Sequence, residues 1–593
     1  MRRPFTVLLM LLLAASALAG DRVPGERWLR YEDPEEAGFD RARLEAARRA
    51  WESLPSSAFL VVVDGAVVAA WGEPARRFRC HSVRKSFLSA LCGIYWDRGK
   101  IDLDKTLVDL GIDDTPAPLL AGERQARIID LLKARSGVFH PAAYAGRTDS
   151  RPRGTEGPGR FFAYNNWDFN TLATILEEET GARVFEAFDE HFARPLGMQD
   201  FRVSDGYYHY ERDKSRFPAY PFRMSARDAA RFGLLFAREG RWGSQRLLSR
   251  YWVRRSTVLY STDDAVWGYG LLWWVAREPR FERHGMFAAL GVGNQMIAVL
   301  PDSDLVIVNR ADTYHRQGTP TKGLLDLVEQ VLEARVSLSV AQPRLVPLED
   351  APPDAWKTTL PAGRLDGLAG RFAVPPPALG LPAEGTVSFT PREGHLVGVW
   401  ERGGTFAVYL QPDGTLRQED SGDRLFAVRG GGGAVEGVAD AEEIARGALA
   451  AAGEERDARA REILVLAGDD ASLPIATVRA LVALLGGDRD GARRLGREVA
   501  ARLPAPAVEA TVNRAGYQLQ QAGKAELARR VFELNTELFP DAFNTWDSLG
   551  EACVKLGRLE EAARFYERSL ALNAENRTAR AALEKLRAAP AAR

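Results

Sequence analysis

From Asp40 to Ser53 apolar residues recur at helical spacing, with Leu44, Ala47 and Trp51 along one side. That spacing predicts an amphipathic helix. Ala58 to Gly72 then switches to two short apolar runs around Asp64-Gly65, the pattern of two strands joined by a tight hairpin. Another helix is predicted to begin near Ser82 and run to Gly99. Helical stretches alternate with loops up to about residue 340, and strand-like runs return late, at Tyr269–Ala276, Asn294–Pro301 and Leu305–Arg310. Two early and three late strands around a helical middle predict an α+β fold. Its antiparallel sheet is closed by both ends of the segment, with a helical lobe inserted.

A Pro-rich stretch from Pro343 to Pro361 marks a boundary. Beyond it, Leu368 to Val428 reads as short strands and turns ("AGRFAV", "GTVSFT", "HLVGVW", "TFAVYL", "DRLFAV"), a small all-β module. Gly430 to Gly433 reads as a flexible linker into helical sequence. Within that sequence Gly516, Gly523, Ala528, Phe532 and Leu538 recur 34 residues later as Gly550, Gly557, Ala562, Tyr566 and Leu572. Small residues where two helices cross, followed by an aromatic on the second helix, resemble tetratricopeptide repeats over roughly Val508 to Leu572. Helices from Asp440 to Leu503 are expected to cap them. The expected division is a leader (1–20), an α+β domain (21–345), a small β module (346–429), a Gly-rich linker (430–439) and a helical domain (440–593).

Composition narrows the partners. The net charge of the 593 residues is −1, so no broad basic surface argues for nucleic acid or an anionic membrane. The start of the chain, "MRRPFTVLLMLLLAASALAG", has a short basic stretch, an apolar core and a small-x-small site at Ala17–Ala19. It reads as a secretory signal, so the mature chain is expected to be exported, periplasmic or secreted, without a membrane span. Three cysteines, Cys80, Cys92 and Cys553, are too few for a disulfide framework and read as packing residues. Scattered histidines give no metal-ligand spacing, so neither a metal nor another cofactor is expected.

The chain strongly prefers arginine: only ten of its 79 basic residues are lysine. One of the ten, Lys85, stands three residues after Ser82 in the apolar run "FRCHSVRKSFLSALCGIYW". On a helix these two positions share a face. A serine hydroxyl attacks well only when a base takes its proton. Lysine is that base only when neutral, and burial among apolar side chains lowers its pKa from about 10.4. Arginine stays protonated and cannot substitute. Further along, Tyr164 and Asn166 form the only Y-x-N of the chain, in "FFAYNNWDFN". A phenol beside a lysine can relay a proton, and an amide can bond both a lysine and a substrate carbonyl. A third element is "FAALGVGNQMIAVLP", where Gly291, Gly293, Asn294 and Gln295 open a strand whose backbone N–H can face a substrate carbonyl.

These three elements, in this order, resemble the serine hydrolases of the class C β-lactamase, D-alanyl-D-alanine carboxypeptidase and family VIII esterase group. The resemblance spans roughly Phe59 to Val308, supported by "IIDLLKARSGV", "RPLGMQDF", "RMSARDAARFG", "WGYGLLWW" and "LPDSDLVIV". It implies a class C β-lactamase-like fold with Ser82 as acylated nucleophile. Lys85 is then its base, with Tyr164 in proton transfer to the leaving group and Asn166 positioning Lys85 and substrate. The implied oxyanion hole is the Ser82 N–H and a donor near Gln295, within Gly293-Asn294-Gln295. The β module resembles the lipocalin-like appendage of relatives. The family's third motif often carries Lys-Thr-Gly or His-x-Gly, and the matching position is read as Val292, before Gly293 and Asn294. An apolar side chain there cannot pair with a substrate carboxylate.

The expected activity is therefore hydrolysis of esters or small amides through an acyl-enzyme. The alternatives are a D-Ala-D-Ala carboxypeptidase or β-lactamase activity, and a non-catalytic cell-wall or peptide-binding protein. The repeats are expected to offer a surface for a protein or peptide partner. Trp167, Trp273 and Trp274 are candidate pocket walls, and His284 a candidate substitute base.

Overall fold

A computed structural model describes residues 22–145, 151–315, 318–349, 357, 365 and 368–588, apart from 380, 383–384, 393, 402, 412–414, 430–434, 455 and 469. The leader read at 1–20 and the glycines at 430–433 lie outside the described residues. The chain divides into two compact units, Met1–Ala355 with Arg402–Thr405, and Trp356–Glu401 with Phe406–Arg593.

The first unit is the α+β domain. Its early strands are β1 (Leu29–Tyr31), β2 (Ala58–Val63) and β3 (Ala66–Gly72). Two short strands, β4 (Phe78–Arg79) and β5 (Arg223–Met224), pair separately, and β6 (Arg241–Trp242) with β7 (Gln245–Arg246) makes a small hairpin. The late strands are β8 (Ser261–Thr262), β9 (Trp267–Tyr269), β10 (Trp274–Ala276), β11 (Phe287–Gly291), β12 (Gln295–Leu300), β13 (Leu305–Arg310) and β14 (Leu345–Pro347). Ten strands form one sheet in the order β14-β1-β3-β2-β13-β12-β11-β10-β9-β8. Early β2 pairs antiparallel with late β13, from Val63 opposite Leu305 to Ala58 opposite Arg310. Both ends of the segment thus close the sheet, as the pattern predicts. Asp64 and Gly65 take φ of 48° and 74°, the left-handed values of a tight hairpin turn.

Alternation sorts the core into two layers. Leu60 and Val62 of β2 face one layer, and Phe59, Val61 and Val63 the other. The first layer packs under the helices Arg84–Asp97 and Ala226–Ala237, the second under Arg41–Glu52 and Thr321–Ala334. Gly233 lets the helix Ala226–Ala237 lie close to the sheet, because a Cβ there would fall 2.6 Å from a methyl of Val306.

One strand expectation needs correcting. "YGLLWWVA" is the end of β9, a turn, and β10. Leu271 N–H donates to the Ser256 carbonyl and Leu272 N–H to that of Leu132, so tertiary partners draw this backbone out of the ladder. The predicted helix at Ser82 also starts two residues late: His81–Val83 is a 3-10 turn and the α-helix is Arg84–Asp97.

The second unit opens with a closed seven-stranded barrel: β15 (Gly370–Val374), β16 (Gly385–Arg392), β17 (His395–Trp400), β18 (Thr405–Leu410), β19 (Leu416–Gln418), β20 (Arg424–Arg429) and β21 (Val435–Asp440). Val387, Phe389, Leu396, Phe406, Val408 and Leu416 fill its interior. The sequence reading found five of these strands and placed the linker at 430–439. That boundary is corrected: 435–440 is β21, which pairs with β20 and, in parallel, with β15. The short run Val435–Asp440 is too small a pattern to be told from linker until its two neighbours supply ladder partners. Asp440 ends β21 and caps the next helix, Ala441–Gly453, accepting from the Glu443 N–H while the Glu443 carboxylate accepts from Asp440 N–H.

Nine helices follow among the described residues, from Ala441–Gly453 to Arg577–Ala588. The 34-residue recurrence is a recurrence of packing. A Cβ on Gly516 would fall 2.4 Å from the Phe532 ring, and one on Gly550 2.9 Å from that of Tyr566. Phe426, Val428 and Ala439 of the barrel share one apolar cluster with Ile444, Ala448 and Leu449. No described helix is long and apolar enough to cross a membrane.

A chain ended at Arg429 lacks β21 and opens the barrel edges of β15 and β20. Expected on limited proteolysis is rapid loss of residues 370–429, whereas the same strands resist cleavage in the full chain. Equal resistance would show that β21 does not close the barrel.

Candidate active site

The chain enters the site through β4, whose pairing with β5 fixes Phe78 and Arg79. Cys80 N–H donates to the Phe222 carbonyl at 2.8 Å, and Arg310 Nη2 donates to the Phe78 carbonyl at 2.7 Å. The 3-10 turn that follows puts His81 at φ 47°, a left-handed conformation unusual for a side chain other than glycine. Ser82 sits in that turn, at the entry of a helix whose residues Arg84 to Tyr95 are all buried. Ser86 and Ser89 satisfy their hydroxyls on the Leu272 and Leu271 carbonyls, the acceptors freed by the β9–β10 turn.

Lys85 is 1% exposed. Its Nζ lies 2.8 Å from Ser82 Oγ and 2.5 Å from Tyr164 Oη, within hydrogen-bonding distance of both. It also lies 4.3 Å from the ring centre of Tyr164 and 4.6 Å from that of Phe169. Tyr164 arrives on an extended segment held by an Ala163 N–H bond to the Ala134 carbonyl. Immediately after it Asn165 caps the helix Asn166–Thr180, accepting from Asp168 N–H. Serine, lysine and tyrosine, spread over eighty residues, therefore converge as the sequence reading placed them.

The electrostatics follow from burial. Desolvation, then the charge of Arg84, holds the Lys85 amine well below the ordinary lysine range. Burial pushes the Tyr164 phenol up to about 12, against the lowering effect of its Ser82 hydrogen bond and of Arg84. Burial thus favours the free amine and the protonated phenol on either side of one hydroxyl, the arrangement in which an amine can accept a proton and a phenol can donate one.

Gly291, just before the expected Gly293-Asn294-Gln295, is the residue of this element that packs on the serine turn. A Cβ on Gly291 would fall 2.5 Å from the Cys80 carbonyl oxygen and 3.1 Å from Ser82 N, so Gly291 is the glycine against the serine. Gly293 and Asn294, at φ 78° and 57°, form the turn between β11 and β12. Asn294 Nδ2 donates to Thr319 O and Thr321 Oγ1, and Gln295 is buried with Nε2 donating to Ala311 O. Those residues brace the hairpin. The Ser82 and Val292 N–H groups have no acceptor among the described residues and flank Gly291. The Gly-Asn pair itself carried the missed signal, because it reads as a hairpin turn and so sets the strand end at Gly291. Two positions before that glycine stands Ala289, buried and apolar, so this strand edge still offers no base.

The other candidates divide. Asn166 donates to the Tyr144 carbonyl at 2.6 Å instead of reaching Lys85. Trp167 is core, donating to Asp114, and Trp273 is core against Phe236 and Phe287. Trp274 is half-buried with its ring 5.4 Å from that of Tyr164, and it does line the site. His284 precedes β11 and Gly291 ends it, a separation of roughly 3.3 Å per residue along the strand that removes it from the serine. Cys80, Cys92 and Cys553 are buried free thiols, and burial raises the Cys80 and Cys92 pKa values.

With this geometry fixed, comparison with known proteins gives the family. A profile described as Beta-lactamase matches residues 41–320. Residues 41–320 are a β-lactamase-family domain. A curated relative, the putative D-alanyl-D-alanine carboxypeptidase of Escherichia coli (strain K12), is 26% identical over 239 residues, 32% of this chain and 54% of that protein. The chain spans about half the length of the curated relative it matches. Among solved structures, a putative 6-aminohexanoate-dimer hydrolase from Bacillus anthracis matches with TM-score 0.39 and 18% identity, over 53% of this chain and 88% of that one. A penicillin binding protein from Bacillus halodurans matches with TM-score 0.36 and 18% identity, over 48% and 98%. A class C β-lactamase mutant matches with TM-score 0.38 and 11% identity, over 50% and 97%. Proteins of the β-lactamase family are serine hydrolases, and the domain is a homologue of the putative D-alanyl-D-alanine carboxypeptidase.

If the β-lactamase-family domain uses Lys85 as its base, serine reactivity requires the neutral amine. Reactivity is then lost as pH falls through the lowered Lys85 pKa. Above that it stays flat across 10.5, where an ordinary lysine titrates, until Tyr164 ionises near about 12. The rate of Ser82 acylation against pH checks this. Lys85→Arg, which stays charged, is expected to lower the rate by about 10²–10⁴-fold.

Proposed function

We propose that this protein is an exported serine hydrolase that cleaves esters or small amides through an acyl-enzyme on Ser82. The observation that carries the reading is Lys85 Nζ, buried and with its pKa held well below the ordinary lysine range, within 2.8 Å of Ser82 Oγ and 2.5 Å of Tyr164 Oη. Lys85 takes the serine proton as Oγ attacks the carbonyl carbon. Tyr164 hands a proton to the departing alkoxide or amine, then with Lys85 activates the water that cleaves the ester intermediate. The Ser82 and Val292 N–H groups receive the negative charge that forms on the carbonyl oxygen. Trp274 and Tyr269, both packed on the Tyr164 ring, give the acyl group an aromatic wall.

The preference for esters and small amides rests on the apolar β11 edge at Ala289 and Leu290. A β-lactam or a D-Ala-D-Ala peptide presents a carboxylate, and no basic side chain stands at that edge to receive it. The leader at 1–20 supports export. The repeated helix pairs around Gly516 and Gly550 support a docking role for a protein or peptide partner.

A fluorophosphonate probe is expected to label the full chain at Ser82 and to leave Ser82→Ala unlabelled. With nitrophenyl esters and a chromogenic cephalosporin compared side by side, kcat/KM is expected to favour the ester by about tenfold or more, the worth of roughly one charge-assisted hydrogen bond missing at the lactam carboxylate. Equal or better cephalosporin turnover rejects the ester preference, and labelling that survives Ser82→Ala rejects the nucleophile.

A further inference from the structure

The segment around Ser82 holds three arginines that no carboxylate neutralises among the described residues. Arg84 is 1% exposed. Its Nη1 donates to the His81 carbonyl at 3.1 Å, while Nε and Nη2 are buried without a partner. Arg310 is fully buried; Nη2 donates to the Phe78 and Met224 carbonyls, and Nε and Nη1 have no partner. Arg79 is half-buried, with its guanidinium 4.5 Å over the ring of Tyr314, and the groups that bear on its charge are the phenols of Tyr207, Tyr314 and Tyr144. The Arg84 guanidinium lies 5.5 Å from the ring of that same Tyr144.

Carboxylates on the flanking segments are already engaged. Asp205 pairs with Arg77 and Arg223, and Asp312 with Arg76 and His315. Glu211 accepts from Tyr144 N–H and pairs with Lys214 and His209. His81, between Tyr144 and Thr313, is held neutral: burial first, then the charges of Arg79, Arg84 and Arg310, push its pKa down to about 3. Burying unpaired cations costs several kcal/mol per ion in general, so a fold that keeps them beside its nucleophile gains most when an anion arrives.

From this arrangement we infer that the Arg79–Tyr144–Tyr314 corner beside Ser82 is an anion subsite that recognises a carboxylate on the substrate. This inference rests on the serine hydrolase reading and narrows it. The substrates favoured are esters or small amides that carry a carboxylate reaching the Tyr144 side of the serine, not the β11 edge. Arg79 is the point of entry, because it alone of the three is part-exposed. Arg84 and Arg310 act behind it by charge. Recognition by Arg79 is a specificity role, distinct from the proton transfers of Lys85 and Tyr164.

Four aryl esters test it on the full chain: 4-nitrophenyl hydrogen glutarate, with the anion on the acyl side, against neutral 4-nitrophenyl butyrate, and 4-carboxyphenyl butyrate, with the anion on the leaving group, against neutral 4-(methoxycarbonyl)phenyl butyrate. One of the two anionic esters is expected to exceed its neutral counterpart in kcat/KM by about tenfold or more. That ratio should fall toward one in Arg79→Gln, recover in part in Arg79→Lys, and shrink as salt is raised. A preference absent from wild type, or a ratio unchanged in Arg79→Gln, overturns the inference. Glutarate binding to Ser82→Ala by calorimetry separates the two readings, because it needs no turnover. Saturable binding weakened about tenfold or more in Ser82→Ala/Arg79→Gln upholds the subsite even if no ester is cleaved. Absent binding, or binding indifferent to Arg79, refutes the subsite even if esters are cleaved.

Discussion

The ammonium group of a lysine is among the most expensive groups to place in a protein interior. In this fold Lys85 is 1% exposed and, among the described residues, meets a serine hydroxyl, a phenol and two aromatic faces and pairs with no carboxylate. The same burial that lowers the Lys85 pKa raises that of the Tyr164 phenol, so one physical cause moves the two groups at a single hydroxyl in opposite directions. Much of the surrounding fold serves that burial. The helix Arg84–Asp97 lies within the core on all sides, and its serines are satisfied by carbonyls that the β9–β10 turn leaves out of the sheet.

Around the amine the charge is one-sided. Arg79, Arg84 and Arg310 approach the Ser82 segment from three sequence positions without carboxylate partners, and His81 answers by staying neutral. Such a field favours whatever negative charge forms or arrives at the serine, whether an oxyanion between the Ser82 and Val292 N–H groups or a carboxylate on the substrate. The charge of Arg84 also disfavours protonation of Lys85, after burial, so the availability of the free amine and the attraction of an anion share one guanidinium.

Beyond the β-lactamase-family domain, the barrel and the helices form one continuous body. β21 leads straight into a capped helix, and barrel residues Phe426 and Val428 lie in the same apolar cluster as the helices. A glycine run, read as loose tether in one dimension, therefore stands beside a strand that is needed at both of its edges.

Local and pairwise patterns in the sequence determined a great deal. Helical spacing put Ser82 and Lys85 on one face, Asp64-Gly65 set the hairpin, and the 34-residue recurrence placed Gly516 against Phe532 and Gly550 against Tyr566, because each depends on residues close in the chain or on a fixed period. A lysine three residues after a serine, in a chain with only ten lysines among 79 basic residues, drew attention to Lys85, since lysine and not arginine can give up its proton. Tertiary structure alone decided which glycine touches the serine, which tryptophan lines the pocket, that 435–440 is a strand, and that the arginines flanking Ser82 lack counter-charges. Each of these turns on what lies opposite a residue from a distant part of the chain. Burial, ladder partners and unpaired charge are properties of such neighbourhoods, and they come into being only when the segments are packed together.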